Sequence, residues 1–223
     1  MPRLTFEKRL QNLQDELLVM GSMVEEAISR STDALKNRNL ALARQVIEGD
    51  KAINQKRYDI EEMCVKLIAT QQPLARDLRV IIAVLNMVVD LERIGDYAEG
   101  NAEIAIIIGD EPPLKPLIDI PRMSDKSGEM MHAALDAFMR RDADTARKVI
   151  AEDSFVDNLY DQVFRELLTY MVSDPSTINR AMRLIWVAHN LERSADRVTN
   201  ICERIVFIVT GKVEEVGVAK REC

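Results

Sequence analysis

Apolar side chains recur every three or four positions over long stretches of this chain, which is the period of amphipathic helices. All seven prolines fall at the apparent boundaries of these stretches, as expected because proline disrupts a helix interior. Asn39 and Asp142 each precede such a stretch and are suited to cap its first turn. The pattern predicts an all-α fold of six long helices at residues 4–37, 40–71, 74–108, 122–140, 143–172 and 176–210.

The two halves of the chain repeat each other. ALKNRNLALARQVIEGD (34–50) aligns with AFMRRDADTARKVIAED (137–153), and VVDLERIGD (88–96) aligns with AHNLERSAD (188–196). Because short turns connect helices that run antiparallel, each half is predicted to be a spectrin-repeat-like bundle of three helices. The predicted organisation is a first bundle at 1–110, a proline-rich connection at 111–121, a second bundle at 122–212 and a C-terminal tail at 213–223.

The third helix of each half changes character along one face. At about 100° per residue, the face that is apolar at the start of the helix becomes acidic farther along, and both copies make the same change. For a single isolated helix, a solvent-facing strip is the simpler explanation. The acids on the two strips are Glu92, Asp96, Glu99 and Glu103 in the first half, and Glu192, Asp196 and Glu203 in the second.

The geometry of each folded helical hairpin favours a metal site over a solvent-facing acidic strip. If the second and third helices pack side by side, acidic pairs spaced four residues apart on one helix lie level with those on the other. Carboxylates gathered at one height repel unless cations or protons neutralise them, and such oxygen ligands suit Mg²⁺, Mn²⁺, Ca²⁺ or iron better than zinc. Asn54 stands where the second half has Asp157, so the first site is expected to bind a cation more weakly. The predicted ligands are Asp50, Asn54, Glu92 and Asp96 in the first half, and Asp153, Asp157, Glu192 and Asp196 in the second.

Composition narrows the class of protein. The 223 residues carry a net charge of −7 and no run of basic residues, so nucleic-acid binding is not expected. The three cysteines form no Cys-x-x-Cys pair and are expected to be reduced thiols. The N-terminus lacks an apolar signal core and no apolar stretch reaches the length of a membrane span, so a cytoplasmic protein is expected.

Other chemistries have less support in the sequence. It contains no phosphate-binding glycine loop and no nucleophile elbow. The single Glu-x-x-His motif, Glu129 to His132, falls short of the two copies that a ferritin-type di-iron site uses, and both His132 and His189 are expected on helix surfaces. Two alternatives stay open: a carboxylate-bridged metalloenzyme, such as a phosphatase or an oxidase, and a purely structural helical scaffold whose acids face solvent.

Two stretches of the sequence resemble one known family. QQPLARDLR (71–79) followed by DLERIGDYAE (90–99), and LLTYMVSDPSTINRAMRLIWVAHNLERSADRVTNICE (167–203), are similar to the pattern of the PhoU family. The resemblance covers nearly the whole chain and implies two three-helix bundles in a homodimer of the bacterial cytoplasm, peripheral to the inner membrane. It further implies a non-enzymatic negative regulator of the phosphate regulon and of phosphate uptake. Such a protein links the ATPase of the phosphate-specific ABC transporter to a PhoR-like sensor histidine kinase.

The resemblance also implies a cofactor. Some members of the family bind multinuclear iron or zinc clusters through E(D)-x-x-x-D motifs, so the expected cofactor is a cluster of iron or divalent ions (Fe, Zn, Mn or Mg). In this sequence the motifs correspond to Glu92/Asp96, Glu192/Asp196 and Asp153/Asp157, with Asp50/Asn54 as an imperfect fourth.

Overall fold

The computed structural model describes residues 2–212, and over this range the regular structure is entirely helical, which confirms the all-α prediction. The predicted C-terminal tail at 213–223 lies outside the described residues. A short 3-10 turn at Pro175–Thr177 precedes the last helix. The helices are α1 (Pro2–Asn37), α2 (Leu40–Gln71), α3 (Ala75–Ile108), α4 (Asp119–Arg140), α5 (Ala143–Ser173) and α6 (Ile178–Thr210).

The same turn is built twice, between α1 and α2 and between α4 and α5. Arg38 and Arg141 both adopt left-handed backbone angles, with φ values of 53° and 56°. The Asn39 side chain accepts a hydrogen bond from the Leu42 amide at 3.0 Å, and Asp142 accepts from the Thr145 amide at 3.0 Å. Both predicted N-caps are therefore confirmed, and each satisfies an amide that the first helical turn leaves open.

Helix α4 begins earlier than the sequence predicted. It starts at Asp119 rather than at residue 122, so the predicted proline-rich connection at 111–121 runs into its first turn. Pro121 lies within that first turn, where the missing amide hydrogen breaks no intrahelical bond, and the proline therefore did not mark the boundary. Helix α6 begins at Ile178 rather than at residue 176, because Asp174 accepts a hydrogen bond from the Ser176 amide and stabilises the preceding 3-10 turn.

Each half packs as three helices, and one continuous apolar core runs through both halves, which join along a seam between α3 and α6 and a second contact between α1 and α4. The α3–α6 seam carries polar contacts among its buried apolar residues. Arg197 and Asn200 donate to Asp90 Oδ1 at 3.2 Å and 3.3 Å, and Asn190 donates to Asn101 at 2.9 Å. These pairings show that α3 and α6 run antiparallel, while α2 and α5 contact only described helices of their own half.

None of the described helices combines the length and the apolar content that crossing a lipid bilayer requires.

Candidate metal centre

Three carboxylates meet in the groove between α2 and α3. Asp50 projects from α2, Asp96 and Glu99 project from α3, and one oxygen of each lies within 4.8 Å of the others. Asp50 is only 6% exposed, whereas Asp96 and Glu99 are half-buried. Oxygens gathered from both walls of a groove can coordinate one hard cation, which would link the two helices.

A glycine allows the groove to close around Asp50. A Cβ atom at Gly95 would lie 3.2 Å from Ile53 Cγ2 and 3.4 Å from Asp50 Oδ1. Such contacts are tight, so the missing side chain at position 95 lets α2 approach α3 closely. The second half has Ala195 at the equivalent position.

The negative charges of these carboxylates repel one another, which disfavours their ionised forms. Burial, followed by the charges of Asp96 and Glu92, raises the pKa of Asp50, although Asn54 opposes this by donating to Asp50 Oδ2 at 2.5 Å. Burial also raises the pKa of Glu99, with Asp50 as the next cause. Asp50 Oδ1 is shielded from solvent and accepts no hydrogen bond from any residue that the structure describes. A cation bound between the helices would satisfy that oxygen and offset the repulsion.

Glu92, a predicted ligand, has other partners. Its Oε1 accepts a hydrogen bond from Arg57 Nη1 at 2.7 Å, and its Oε2 lies 3.6 Å from Arg93 Nε. Arg57 also donates from Nε to Glu61 at 2.8 Å, and that hydrogen bond is the largest cause of the raised pKa of Arg57. We call Asp50, Glu92, Asp96 and Glu99 the first cluster. Its member Glu92 is thus bound by a guanidinium group from the opposite helix.

Glu99 was not among the predicted ligands although the sequence placed it on the acidic strip. Its position three residues after Asp96 on the same helical face was the available signal. Asn54, a predicted ligand, donates a hydrogen bond from its side-chain amide to Asp50.

We call Asp153, Asp157, Glu192 and Asp196 the second cluster; they line α5 and α6. Glu192 is 8% exposed, the other three are half-buried, and Asp153 Oδ1, Asp157 Oδ1 and Glu192 Oε2 are shielded from solvent. Arg193 donates to Asp196 Oδ2 at 2.6 Å. Within residues 2–212, only Asp50, Asp96 and Glu99 bring three ligand atoms within 4.8 Å of one another, so the carboxylates of the second cluster are spread more widely.

An aromatic group borders the second cluster. His189 Nδ1 lies 3.7 Å from Glu192 Oε2, and the His189 ring contacts the rings of Tyr160 and Trp186 with centroid distances of 6.1 Å and 5.9 Å. The sequence interpretation assigned His189 to a helix surface and overlooked its spacing of three residues from Glu192. That spacing places a possible nitrogen ligand beside the second cluster.

The two described cysteines are structural. Cys64 and Cys202 are free and buried, and burial raises the pKa of each thiol to about 12. Thiols held neutral in an apolar environment are poor nucleophiles and poor metal ligands, which leaves the carboxylates and His189 as the candidate ligands.

Comparison with known proteins identifies relatives of the whole chain. A sequence model described as "PhoU domain" matches residues 17–105 and 120–205. The chain is 43% identical over 206 residues to the phosphate-specific transport system accessory protein PhoU homolog of Aquifex aeolicus (strain VF5), covering 92% of this chain and 93% of the relative. It is 36% identical over 207 residues to the phosphate-specific transport system accessory protein PhoU of Escherichia coli (strain K12), covering 93% and 86%.

Solved structures agree with these relatives. The crystal structure of PhoU from Pseudomonas aeruginosa superposes with a TM-score of 0.89 at 39% identity, covering 93% of this chain and all of that one. The phosphate transport system regulatory protein PhoU from Streptococcus pneumoniae gives a TM-score of 0.88 at 30% identity, covering 94% and 99%.

Proposed function

The chain belongs to the PhoU family, and we propose that it acts as a metal-binding regulatory adaptor that restrains phosphate uptake and the phosphate regulon. In this proposal it works in the cytoplasm beside the inner membrane as a homodimer. Its partners are the ATPase of a phosphate ABC transporter and a sensor histidine kinase. Relatives over more than nine-tenths of the chain are named as accessory proteins of phosphate-specific transport, which supports the regulatory part of the proposal.

The observation that supports metal binding is the environment of Asp50. Its buried Oδ1 accepts no hydrogen bond from the described residues, and one Asp50 oxygen lies within 4.8 Å of an oxygen of Asp96 and an oxygen of Glu99. Asp50, Asp96 and Glu99 would hold a cation in the first half, and the second cluster would hold one in the second half. Oxygen ligands of this kind fit Mg²⁺, Mn²⁺ or iron, while His189 adds a nitrogen atom that also suits zinc.

A bound cation would act on the protein's shape rather than on a substrate. It would fasten α2 to α3 and α5 to α6, and so favour the conformation in which both grooves are closed. A ligand shifts such an equilibrium only to the extent that it binds one state more tightly than the other. The partners would then recognise the closed hairpins.

Metal binding is tested on purified protein stripped with a chelator. Addition of Mn²⁺, Zn²⁺ or Fe²⁺ should raise the melting temperature, because a ligand that binds only the folded state stabilises it. Elemental analysis should find bound metal that is lost in an Asp50→Asn, Asp96→Asn, Glu192→Gln, Asp196→Asn variant. No change in melting temperature with any of the three cations would reject this part of the proposal.

The adaptor role is tested in cells that lack their own PhoU protein. Expression of this chain should restore repression of a phosphate-regulon reporter when phosphate is ample, and the ATPase and the kinase should co-purify with it. A chain that folds and is expressed but leaves the reporter derepressed would reject the regulatory role. Light scattering of the purified protein tests the homodimer separately.

A further inference from the structure

We propose that Arg57 is a built-in counter-ion of the first cluster, which holds Glu92 away from bound metal and so makes the two clusters unequal in cation affinity. This inference rests on the metal binding proposed above. It concerns which carboxylates are available to the cation in each half.

The position of Arg57 suits this role. Its guanidinium group spans the α2–α3 groove, with Nη1 2.7 Å from Glu92 Oε1 and Nε 2.8 Å from Glu61 Oε1. Glu92 is only 9% exposed, so its charge is stabilised chiefly by protein groups rather than by water. A planar guanidinium group binds carboxylates with fixed geometry and stays protonated at all physiological pH values, which makes it a permanent competitor for a cation.

Glu92 would otherwise belong to the metal site. It lies one helical turn before Asp96 on the same face of α3, and its charge is one of the causes that raise the pKa of Asp50. The three carboxylates that do approach one another, those of Asp50, Asp96 and Glu99, are the members of the first cluster that Arg57 does not bind.

The internal repeat shows what the groove looks like without this arginine. The alignment that pairs Asp50 with Asp153 pairs Asn54 with Asp157 and Arg57 with Tyr160. Both differences make the first groove more positive, by one charge at each position. In the second half, the residue at the Arg57 position is an aromatic one that packs against His189 and carries no charge toward Glu192.

A cation entering the first cluster must therefore either leave Glu92 with Arg57 or displace the guanidinium group. The first choice limits the ion to three protein carboxylates, and the second costs the charge-assisted hydrogen bond between Arg57 and Glu92. Either way the first cluster binds a cation more weakly than the same cluster without Arg57.

The test measures Mn²⁺ affinity at one cluster at a time. In full-length protein whose second cluster is disabled by Glu192→Gln and Asp196→Asn, free Mn²⁺ is followed by electron paramagnetic resonance. Replacing Arg57 by Tyr should tighten Mn²⁺ binding about tenfold, since releasing one close carboxylate is worth about one factor of ten in affinity. Arg57→Gln should also tighten Mn²⁺ binding. Arg57→Lys keeps the positive charge but loses the planar guanidinium group, so it should tighten Mn²⁺ binding by a smaller factor.

Lys56 provides the matched control. It precedes Arg57 on α2, its side chain is equally exposed at 24%, and it forms a 2.7 Å ion pair with Glu16 on α1 rather than with the cluster. Lys56→Gln removes the same charge and should change Mn²⁺ affinity less than twofold. Equal effects of Lys56→Gln and Arg57→Gln would show a general charge effect and overturn the inference.

The reciprocal exchange tests the second cluster. With the first cluster disabled by Asp50→Asn and Asp96→Asn, Tyr160→Arg should weaken Mn²⁺ binding about tenfold. Circular dichroism confirms that each variant is folded before its affinity is used. If Mn²⁺ binds the first cluster but Arg57→Tyr leaves its affinity unchanged, the inference fails while the proposed metal binding stands. If Mn²⁺ binds neither cluster in any variant, both fail.

Discussion

The α2–α3 groove and the α5–α6 groove share one helical frame but are lined by different side chains. Both begin after a turn with a left-handed arginine and a side-chain N-cap, and both place a Leu-Glu-Arg-x-x-Asp segment on the third helix. The first groove closes at Gly95 and is bridged by Arg57, whereas the second has Ala195, Tyr160 and His189. The two halves thus share the turns, the N-caps and the Leu-Glu-Arg-x-x-Asp segment, and they differ in the residues that border the acidic clusters.

The largest expected effect comes from a substitution that tests how closely α2 and α3 pack in the first groove. Gly95→Val should lower the free energy of unfolding by about 2 kcal/mol, because the added atoms would press on Ile53 and Asp50. Urea denaturation measures the change. Gly49→Ala is the control on the neighbouring helix: a Cβ there meets nothing within 4 Å, so the substitution should stabilise by about 0.5 kcal/mol. Equal effects of the two substitutions would show that the first groove is not tightly closed.

Removal of the N-cap should destabilise both halves by similar amounts. Asn39→Ala and Asp142→Ala should each lower the free energy of unfolding by about 1 kcal/mol, because each removes a side-chain N-cap. The loss at Asp142 should be the larger, since it accepts from the amides of both Asp144 and Thr145. A cap that contributes in only one half would contradict the interpretation that the two halves share one helical frame.

The charge of Asp50 should make the metal-free protein sensitive to pH. Its pKa in the folded state is raised above the ordinary value of 3.8, so its contribution to stability is fully present below that value and is lost as pH rises through the raised pKa. At pH 7 without metal, Asp50→Asn should therefore raise the melting temperature by roughly 2 °C, as expected for about 1 kcal/mol in a chain of this size. The same variant should lose the part of the stabilisation by Mn²⁺ that the first cluster provides.

Asp153→Asn provides the comparison in the second half. Its carboxylate belongs to the cluster whose members are spread more widely, so the gain in melting temperature of the metal-free protein should be smaller. Thermal melts of both variants between pH 4 and pH 8 measure the two changes in melting temperature. A melting temperature of Asp50→Asn below that of the parent protein at pH 7 would contradict the electrostatic account.

The smallest expected effect is on metal preference. His189→Ala should weaken Zn²⁺ binding at the second cluster about threefold and leave Mn²⁺ binding nearly unchanged, because imidazole nitrogen suits zinc better than manganese. Titration of both ions into protein with a disabled first cluster measures the ratio. Equal weakening of both ions would assign His189 a packing role beside Tyr160 and Trp186.

The fold followed from the sequence because its signals are local. Helical period, the caps at Asn39 and Asp142 and the short turns all act within a few residues. The predicted helix ends agree with the structure to within three residues, and the largest difference is at the start of α4. Pro121 shows the limit of such signals, since a proline tolerated in a first turn was read as a boundary.

The site was less accessible from the sequence because its pairings cross between helices. The acidic strip drew attention to Asp96, but the pattern considered only acidic residues and gave no weight to a basic side chain on the facing helix. Whether Glu92 meets Arg57 or Asp50 depends on the register across the groove to within one turn, which periodicity does not fix. Glu99 was passed over for the same reason.

The antiparallel seam between α3 and α6 has a consequence for the geometry of docking. Residue 79 near the start of α3 lies beside Gly211 after α6, and Arg180 near the start of α6 lies beside Pro112 after α3. The α2–α3 and α5–α6 turns therefore point away from each other, separated by the length of a helix of about 30 residues, or about 45 Å. One copy therefore presents its two inter-helix turns at opposite ends of the α3–α6 seam.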